Sequence, residues 1–387
     1  MKLLFVICNL EIGGTRRSLL NLLSYISSNY DVDLELLAFS PYGAYKDMVP
    51  KKVKLIEGNW LMQGHFSEKK TIGHKYSLLL SRAIGAIGKK LVGENRFWDF
   101  ILKDFAKKNI GNDYDAVIGF QEGQSDFFTT LTSVKPKMIW IHNDYNNISK
   151  RNTRNVEAYA DIDHIFFVAE TARRSFIKAF PSLEKKMSVI KNIVPQEEIR
   201  RKSKENIKVD YYQKGKINIV SVGRIENQKA FDRIVGVLKR LDGLKDKINW
   251  IVIGNGSQRK MIERQIIQEK LQDSIRFVGP KTNPYPYIAN SDLFVLTSIY
   301  ESQPMVIMEA LTIGIPVVST NFESAYELLE NKKYGVICDN SEEGLAEVLS
   351  NIISHPDVLV SLKKETKDFI YNNDAIVNEI FQKIKER

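Results

Sequence analysis

Only two cysteines, Cys8 and Cys338, occur in 387 residues, each inside or beside an apolar run that reads as a buried strand. A disulfide framework is therefore not expected, and a reducing cytoplasm is the expected compartment. Glycine (22) and proline (11) are near or below average, which sets collagen-like and low-complexity classes aside. No stretch approaches the roughly 18 uninterrupted apolar residues of a membrane-crossing helix. The opening MKLLFVICNL is short for a signal peptide, lacks a small-residue cleavage site and runs straight into Glu11 and Gly13-Gly14, so it reads as a first strand. No HExxH string and no clustered Cys/His set is present, so zinc has no candidate ligands and no metal site is expected. A complete GxGxxG is missing too: Gly13-Gly14 and Gly254-Asn255-Gly256 are fragments of one, and no dinucleotide fingerprint is read from them.

Acidic residues are in deficit, 47 Asp plus Glu against 56 Lys plus Arg, a formal net charge of +9. Nucleic acid, nucleotide phosphates and anionic lipid all fit that sign. The basic residues are spread rather than gathered with aromatics on a stacking platform, so nucleic acid is not an expected partner.

What the chain does have is 43% apolar residues, in short two-sided runs that alternate with amphipathic stretches of about 10 to 15 residues, the signature of parallel sheets covered by helices. Strands are expected at 2–8, 33–39, 53–57, 114–120, 137–142, 163–168 and 187–190, and again at 216–222, 249–253, 275–278, 293–297, 315–319 and 335–338. The fold class is α/β, with two doubly wound units. An N-terminal domain over 1–195, a linker over 196–215 where a mixed-charge run intervenes, a second domain over 216–370 and a last helix over 371–387 that returns to the first domain are the expected divisions. Residues 61–110 stand apart: no strand is read there, and basic residues outnumber acidic ones. Two readings stay open, helices packed on the first domain with a solvated basic face, or a surface that touches anionic lipid.

Ligands of doubly wound units bind at the carboxyl ends of the strands. In the first domain the strand-end loop Asn9 to Arg17 carries Gly13, Gly14 and Arg17, and a helix amino terminus there offers N–H groups to an anion. Glu122 follows another strand and His142 a third. In the second domain Gly223-Arg224 closes a strand and Lys229 opens the next helix, a fork and a point charge suited to a diphosphate. Most informative is TSIYESQPMVIMEA, residues 297–310: a strand end, a loop with Glu301, Pro304 at a helix start, and Glu309 on an otherwise apolar helix. Pro suits a first turn, and a carboxylate in an apolar segment needs a hydrogen-bonding partner.

Glu301 and, seven residues between, Glu309 followed by Ala310 resemble the motif of the retaining family-4 glycosyltransferases of the GT-B fold. The resemblance runs through the chain in order: Gly13-Gly14 with Arg17, the His142 strand end, the IKNIV segment around Asn192, Gly223-Arg224 with Lys229, Gly254-Asn255-Gly256, the RFVG segment 276–279 and the glutamate pair. It implies two Rossmann-like domains facing a cleft, and transfer of a sugar, of hexosyl or N-acetylhexosaminyl type, from a nucleotide-diphosphate donor to a hydroxyl. Arg224 and Lys229 would clamp the diphosphate, Glu301 would hold hydroxyls of the transferred sugar, and Glu309 the ribose. Gly13, Gly14, Gly223, Gly254 and the N–H groups of Gln303, Pro304, Met305 and Val306, so far as each has one, would line the donor, while His142 would approach the reacting carbon. Glu122, Arg17 and Asn192 fall on the acceptor side.

No cofactor is implied; the donor is expected to carry UDP rather than GDP. A glycan or lipid-linked glycan acceptor in cell-surface polysaccharide synthesis is expected, with the protein cytoplasmic or peripheral on the inner face of the plasma membrane. A non-catalytic partner of another transferase and a nucleotide-sugar epimerase are the alternatives. Two departures from the family pattern stand out: Ser302-Gln303 replaces the usual glycine and phenylalanine, and Ala230 replaces the glycine after the clamp lysine. Asp31-Val32-Asp33, Asp113-Tyr114-Asp115 and Asp161-Ile162-Asp163 match the metal-binding Asp-x-Asp string of the other major transferase fold, but each lies at the wrong end of its strand.

Overall fold

A computed structural model describes residues 1–67, 75–143, 145, 158–206, 211–241, 243–329 and 333–386. The chain divides into two compact units, Met1–Ile193 with Asn373–Arg387, and Val194–Asn372. The first is built on strands β1 (Lys2–Asn9), β2 (Asp33–Ser40), β3 (Val53–Glu57), β4 (Ala116–Gly119), β5 (Lys137–Ile141), β6 (His164–Phe167) and β7 (Met187–Val189). Their order is β3-β2-β1-β4-β5-β6-β7, and every pair is parallel. Leu3 to Ile7 of β1 are wholly buried, because a parallel sheet is covered on both faces and its central strand must be apolar on both sides.

On one face the helix Gly14–Asn29 buries Leu19, Leu22, Leu23 and Ile26 against Phe5 and Ile7. The C-terminal helix Asn373–Lys385 adds Val377, Ile380 and Ile384 to that same core, and the Tyr25 and Tyr30 hydroxyls donate to Asp374 at its start, at 2.9 and 2.6 Å. On the other face Met62, Leu102, Phe105 and Ala106 pack against Leu4, Val6, Leu37 and Phe39. Those residues come from the strand-free stretch, which forms the helices Trp60–Phe66, Lys75–Val92 and Glu94–Asn109; residues 68–74 lie outside the described part.

The second unit holds β8 (Ile217–Val222), β9 (Ile248–Ile253), β10 (Ile275–Gly279), β11 (Leu293–Leu296), β12 (Val317–Thr320) and β13 (Gly335–Cys338), in the order β10-β9-β8-β11-β12-β13. Again every pair is parallel. In each sheet the order reverses once, between β1 and β4 and between β8 and β11. That switch point parts the loops at the strands' carboxyl ends and opens a place for a ligand.

The expected linker is not a bare connection. The start of the expected linker, 196–203, is a helix, Gln196–Ser203, that packs on the helices Tyr285–Ala289 and Met305–Ile313 of the second unit. Only Ile199 of its charged run is wholly buried, so the apolar period by which a helix is recognised is nearly absent; residues 207–210 lie outside the described part. Near the end of the second unit the helix Pro356–Thr366 closes at Thr366, whose hydroxyl donates to the Gly314 carbonyl at 3.0 Å. Beyond it the Tyr371 backbone is held by a side chain: the Gln196 amide donates to its carbonyl at 2.7 Å and accepts from its N–H at 3.4 Å.

Candidate functional site

The adjacency of β8 and β11 brings the loop with Arg224 and Lys229 beside the loop with Glu301. Backbone and side chains then lace the two together. The Ile299 N–H donates to the Gln228 carbonyl at 2.8 Å, the Gln228 amide donates to the Tyr300 carbonyl at 3.1 Å, and the Thr297 hydroxyl donates to the Lys229 carbonyl at 2.6 Å. Asn340, itself an acceptor from Arg233, donates to the carbonyls of Ile299 and Asn321 at 2.8 and 2.9 Å. The result is an ion pair: Lys229 Nζ lies 2.5 Å from Glu301 Oε1, the side chains only 14% and 10% exposed. The Ser298 hydroxyl donates to the same carboxylate oxygen at 2.8 Å. Such a pair, mostly withdrawn from water, leaves a costly unpaired charge if either partner is removed.

Arg224 is exposed and forms no ion pair among the described residues. Its charge helps to hold Glu226 below the usual carboxylate range, the larger cause being the Ser257 hydroxyl and N–H that donate to Glu226 at 2.6 and 2.9 Å. This fastens the Gly254–Ser257 turn to the clamp loop. Gly254 is required there: its φ is +152°, and a Cβ would collide with the Gly223 carbonyl. Ala230 adopts the left-handed conformation with φ 48°, in which a glycine would carry less strain.

Glu309 sits half-buried in the helix Met305–Ile313. The Tyr285 hydroxyl donates to it at 3.3 Å, so part of the hydrogen bonding that the sequence left to a ligand is supplied by the protein. Pro304 starts this helix and no side chain caps it, leaving the first-turn N–H groups of Met305 and Val306 at the strand-end side. The Gln303 amide donates to the Tyr371 hydroxyl at 3.4 Å. Tyr285, Gln228, Thr297, Ser298 and Asn340 were missed by sequence reasoning. Tyr285 had no signal at all, and the others are ordinary loop polars whose roles come from the pairing of β8 with β11.

In the first unit the β1–β4 switch point gathers Gly13, Gly14 and the Glu122 loop. No side chain caps the helix that begins at Gly14. Glu122 does not cap its own helix either: it accepts from the His142 N–H at 3.1 Å and from the Asn143 amide, and so fixes the turn after β5. The His142 ring lies 4.8 Å from that of Phe120, and its Nε2 is shielded from solvent with no partner among the described residues. Burial pushes its pKa down to about 3, so the ring is neutral at any physiological pH and acts through hydrogen bonding rather than charge. Arg17 turns aside to Met48 Sδ at 3.8 Å, while the neighbouring Arg16 lies under Gly13.

Asn192 is buried inside the unit and accepts from the Ser18 hydroxyl. Asp126, another residue the sequence did not mark, is wholly buried. Burial raises its pKa to about 7, although the Tyr159 hydroxyl and the Phe127 N–H each donate to it at 2.6 Å. The Asp-x-Asp strings lie at the amino ends of their strands. Asp113 pairs with Lys2, Asp161 pairs with Lys135 and Lys137, and Asp163 accepts from the Lys137 N–H.

Two parallel-sheet Rossmann-like units with this strand order and these strand-end loops have the fold of GT-B glycosyltransferases. Residues 202–373, nearly all of them in the second unit, match the family model for "Glycosyl transferases group 1". The crystal structure of Anabaena HepE in complex with UDP and glucose is similar over 100% of both chains, with a TM-score of 0.70 and 15% identity. An uncharacterized glycosyltransferase of Methanocaldococcus jannaschii is 24% identical over 195 residues, 48% of each chain. The N-acetylgalactosamine-N,N'-diacetylbacillosaminyl-diphospho-undecaprenol 4-alpha-N-acetylgalactosaminyltransferase of Campylobacter jejuni is 23% identical over 234 residues, 60% of this chain and 62% of that one. The matches thus span about half to three fifths of these curated relatives' lengths.

Proposed function

We propose that the protein is a retaining, family-4-type glycosyltransferase that moves a sugar from a UDP-linked donor to a hydroxyl of a glycan or lipid-linked glycan in cell-surface polysaccharide synthesis. The observation that carries this reading is the set formed at one switch point: exposed Arg224, paired Lys229 and Glu301, and Glu309 with its tyrosine partner. A donor diphosphate competes with Glu301 for Lys229 and takes Arg224 as well. Released from the ammonium, Glu301 accepts hydroxyls of the sugar, and Glu309 with Tyr285 holds the ribose. The bond between the anomeric carbon and the diphosphate oxygen breaks, and the acceptor oxygen bonds to the same face of that carbon. The acceptor proton passes to the departing phosphate oxygen. Arg224, Lys229 and the N–H groups of the helix start stabilise the charge that develops there, a large electrostatic contribution to rate.

His142, neutral, is the first unit's candidate to act in transfer through a ring-nitrogen hydrogen bond. Cations take the place of a metal in this scheme, and no cofactor takes part. UDP and a hexosamine-type sugar are favoured by analogy, since HepE was crystallised with UDP and the Campylobacter relative is named for N-acetylgalactosamine transfer onto a diphospho-undecaprenol carrier. A location on the inner face of the plasma membrane fits such an acceptor; no described helix is long and apolar enough to cross a membrane. A non-catalytic partner protein would have no need of both glutamates and both cations. The experiment is incubation with a panel of nucleotide sugars, with slow release of nucleotide diphosphate as readout. Release from one UDP-sugar, changed by chelator less than about twofold, is the expected result. Interconversion of the sugar without release would instead mark an epimerase.

A further inference from the structure

We infer that the outward faces of the helices Lys75–Val92 and Glu94–Asn109 form a docking surface for an anionic lipid bilayer. This rests on the proposed lipid-linked acceptor only for its purpose; the surface itself is read from exposure and charge. On the first helix Ser81 and Gly85 face inward. Leu79, Leu80, Ala83, Ile87 and Leu91 recur one, four, eight and twelve residues after the first, which at helical pitch is a single outward arc about three turns long. Its four large aliphatic side chains are all more than half exposed, Leu91 to 77%. Lys90 lies within the same arc and is exposed.

The second helix repeats the design. Trp98, Leu102, Phe105 and Ala106 face the core, while Arg96, Phe100, Lys103 and Lys107 fall at i, i+4, i+7 and i+11 on the opposite side, with Phe100 69% exposed. Asp104, beside that stripe, is paired with Lys108 at 2.9 Å. The core has no use for these apolar groups, since each helix already buries its other side. Aliphatic side chains interleaved with cations that form no ion pair among the described residues suit the headgroup region of an anionic leaflet, where the apolar groups enter the acyl boundary and the cations meet phosphates. A basic protein in water gains nothing from such a face, and a second copy would set like charges together. Arg82, which composition alone would add to the lipid contacts, belongs elsewhere: its guanidinium donates to the carbonyls of Gly64 and Ser67 at 3.3 and 3.1 Å and ties the helix Trp60–Phe66 in place.

The test uses the full chain and sedimentation with phosphatidylcholine vesicles, either neutral or holding about 30% phosphatidylglycerol. Wild type is expected to sediment with the anionic vesicles only, and less so at about 0.5 M salt. I87E/L91E and K103E/K107E should each lower partition about tenfold, while K260E/R264E, the same charge change on the helix Arg259–Gln268 of the second unit, should not. Donor hydrolysis in lipid-free buffer should be unaffected in both face variants, which shows that they fold. Equal binding to neutral and anionic vesicles, or equal loss in the K260E/R264E control, would overturn the inference. So would a wild-type dimer that I87E/L91E converts to monomer, because the face would then be an interface between copies. Vesicle binding by a protein that hydrolyses no nucleotide sugar would leave the docking surface standing and remove the transferase reading.

Discussion

The carboxyl edge of the second sheet works with formal charge, and that of the first works largely without it. In the second unit Lys229 and Glu301 hold each other across 2.5 Å, Arg224 stands exposed beside them, and Glu309 is aligned by Tyr285. In the first unit His142 is kept neutral by burial, Asp126 is pushed toward its protonated form, and Glu122 is taken up by the turn after β5, where it accepts from the His142 N–H and the Asn143 amide. The difference follows from what each edge is proposed to bind. A diphosphate carries charge whatever sugar hangs from it, so fixed cations must be present; hydroxyl acceptors differ from enzyme to enzyme and are recognised by shape and dipoles.

The largest expected effect falls on the charged edge. Lys229→Ala should lower kcat/KM by roughly three orders of magnitude, as loss of a transition-state cation does, whereas His142→Ala should cost only about a hundredfold. Steady-state kinetics with one donor compare the two directly. A larger loss at His142 would reverse the contrast between the edges. Lys229→Ala should also lower the melting temperature, because Glu301 is left mostly buried without a partner.

The same contrast governs what could be read in advance. Both sheets were legible because parallel strands, apolar on both faces, announce themselves as short runs between turns. The charged set was legible because fork, point charge and paired carboxylates sit at fixed spacings around two strand ends. Neutral groups left no such trace: Asp126 and Tyr285 look like any polar residue until the fold buries them. The helix Gln196–Ser203 was hidden for the opposite reason, since one wholly buried residue, Ile199, anchors a charged stretch. The bond between Asn192 and Ser18 could not be read either, for the two lie far apart in sequence.

A middle-sized effect concerns pH and the uncharged edge. With a native pKa near 7 against an ordinary 3.8, Asp126 binds its proton more tightly folded than unfolded. Its contribution to stability is therefore complete below about pH 4 and lost as pH rises through 7. Asp126→Asn keeps an acceptor for the Tyr159 hydroxyl and removes the titration. Chemical denaturation across that range should show wild type losing up to about 1.4 kcal/mol per pH unit relative to the variant. A constant difference would mean that Asp126 is ionised in the fold, and the first edge would not be neutral.

The smallest effect is at Ala230. Glycine there relieves about 1 kcal/mol of left-handed strain but gives up about 0.8 kcal/mol from a buried methyl. Ala230→Gly should accordingly leave stability within about 1 kcal/mol of wild type by denaturant titration, with transfer unchanged. A tenfold or greater fall in transfer would show that the methyl, not only the backbone, touches the donor.

The central claim is that Lys229 exchanges Glu301 for the donor diphosphate while Glu309 serves the ribose. Titration of bare UDP against Glu301→Gln and Glu309→Gln, beside transfer rates for both, tests it most directly. Glu301→Gln should bind UDP as well as wild type or more tightly, because the lysine is freed, while transfer falls by roughly two to three orders of magnitude. Glu309→Gln should weaken UDP about tenfold and retain turnover at saturating donor. Weakened UDP binding by Glu301→Gln with undisturbed binding by Glu309→Gln would contradict the account.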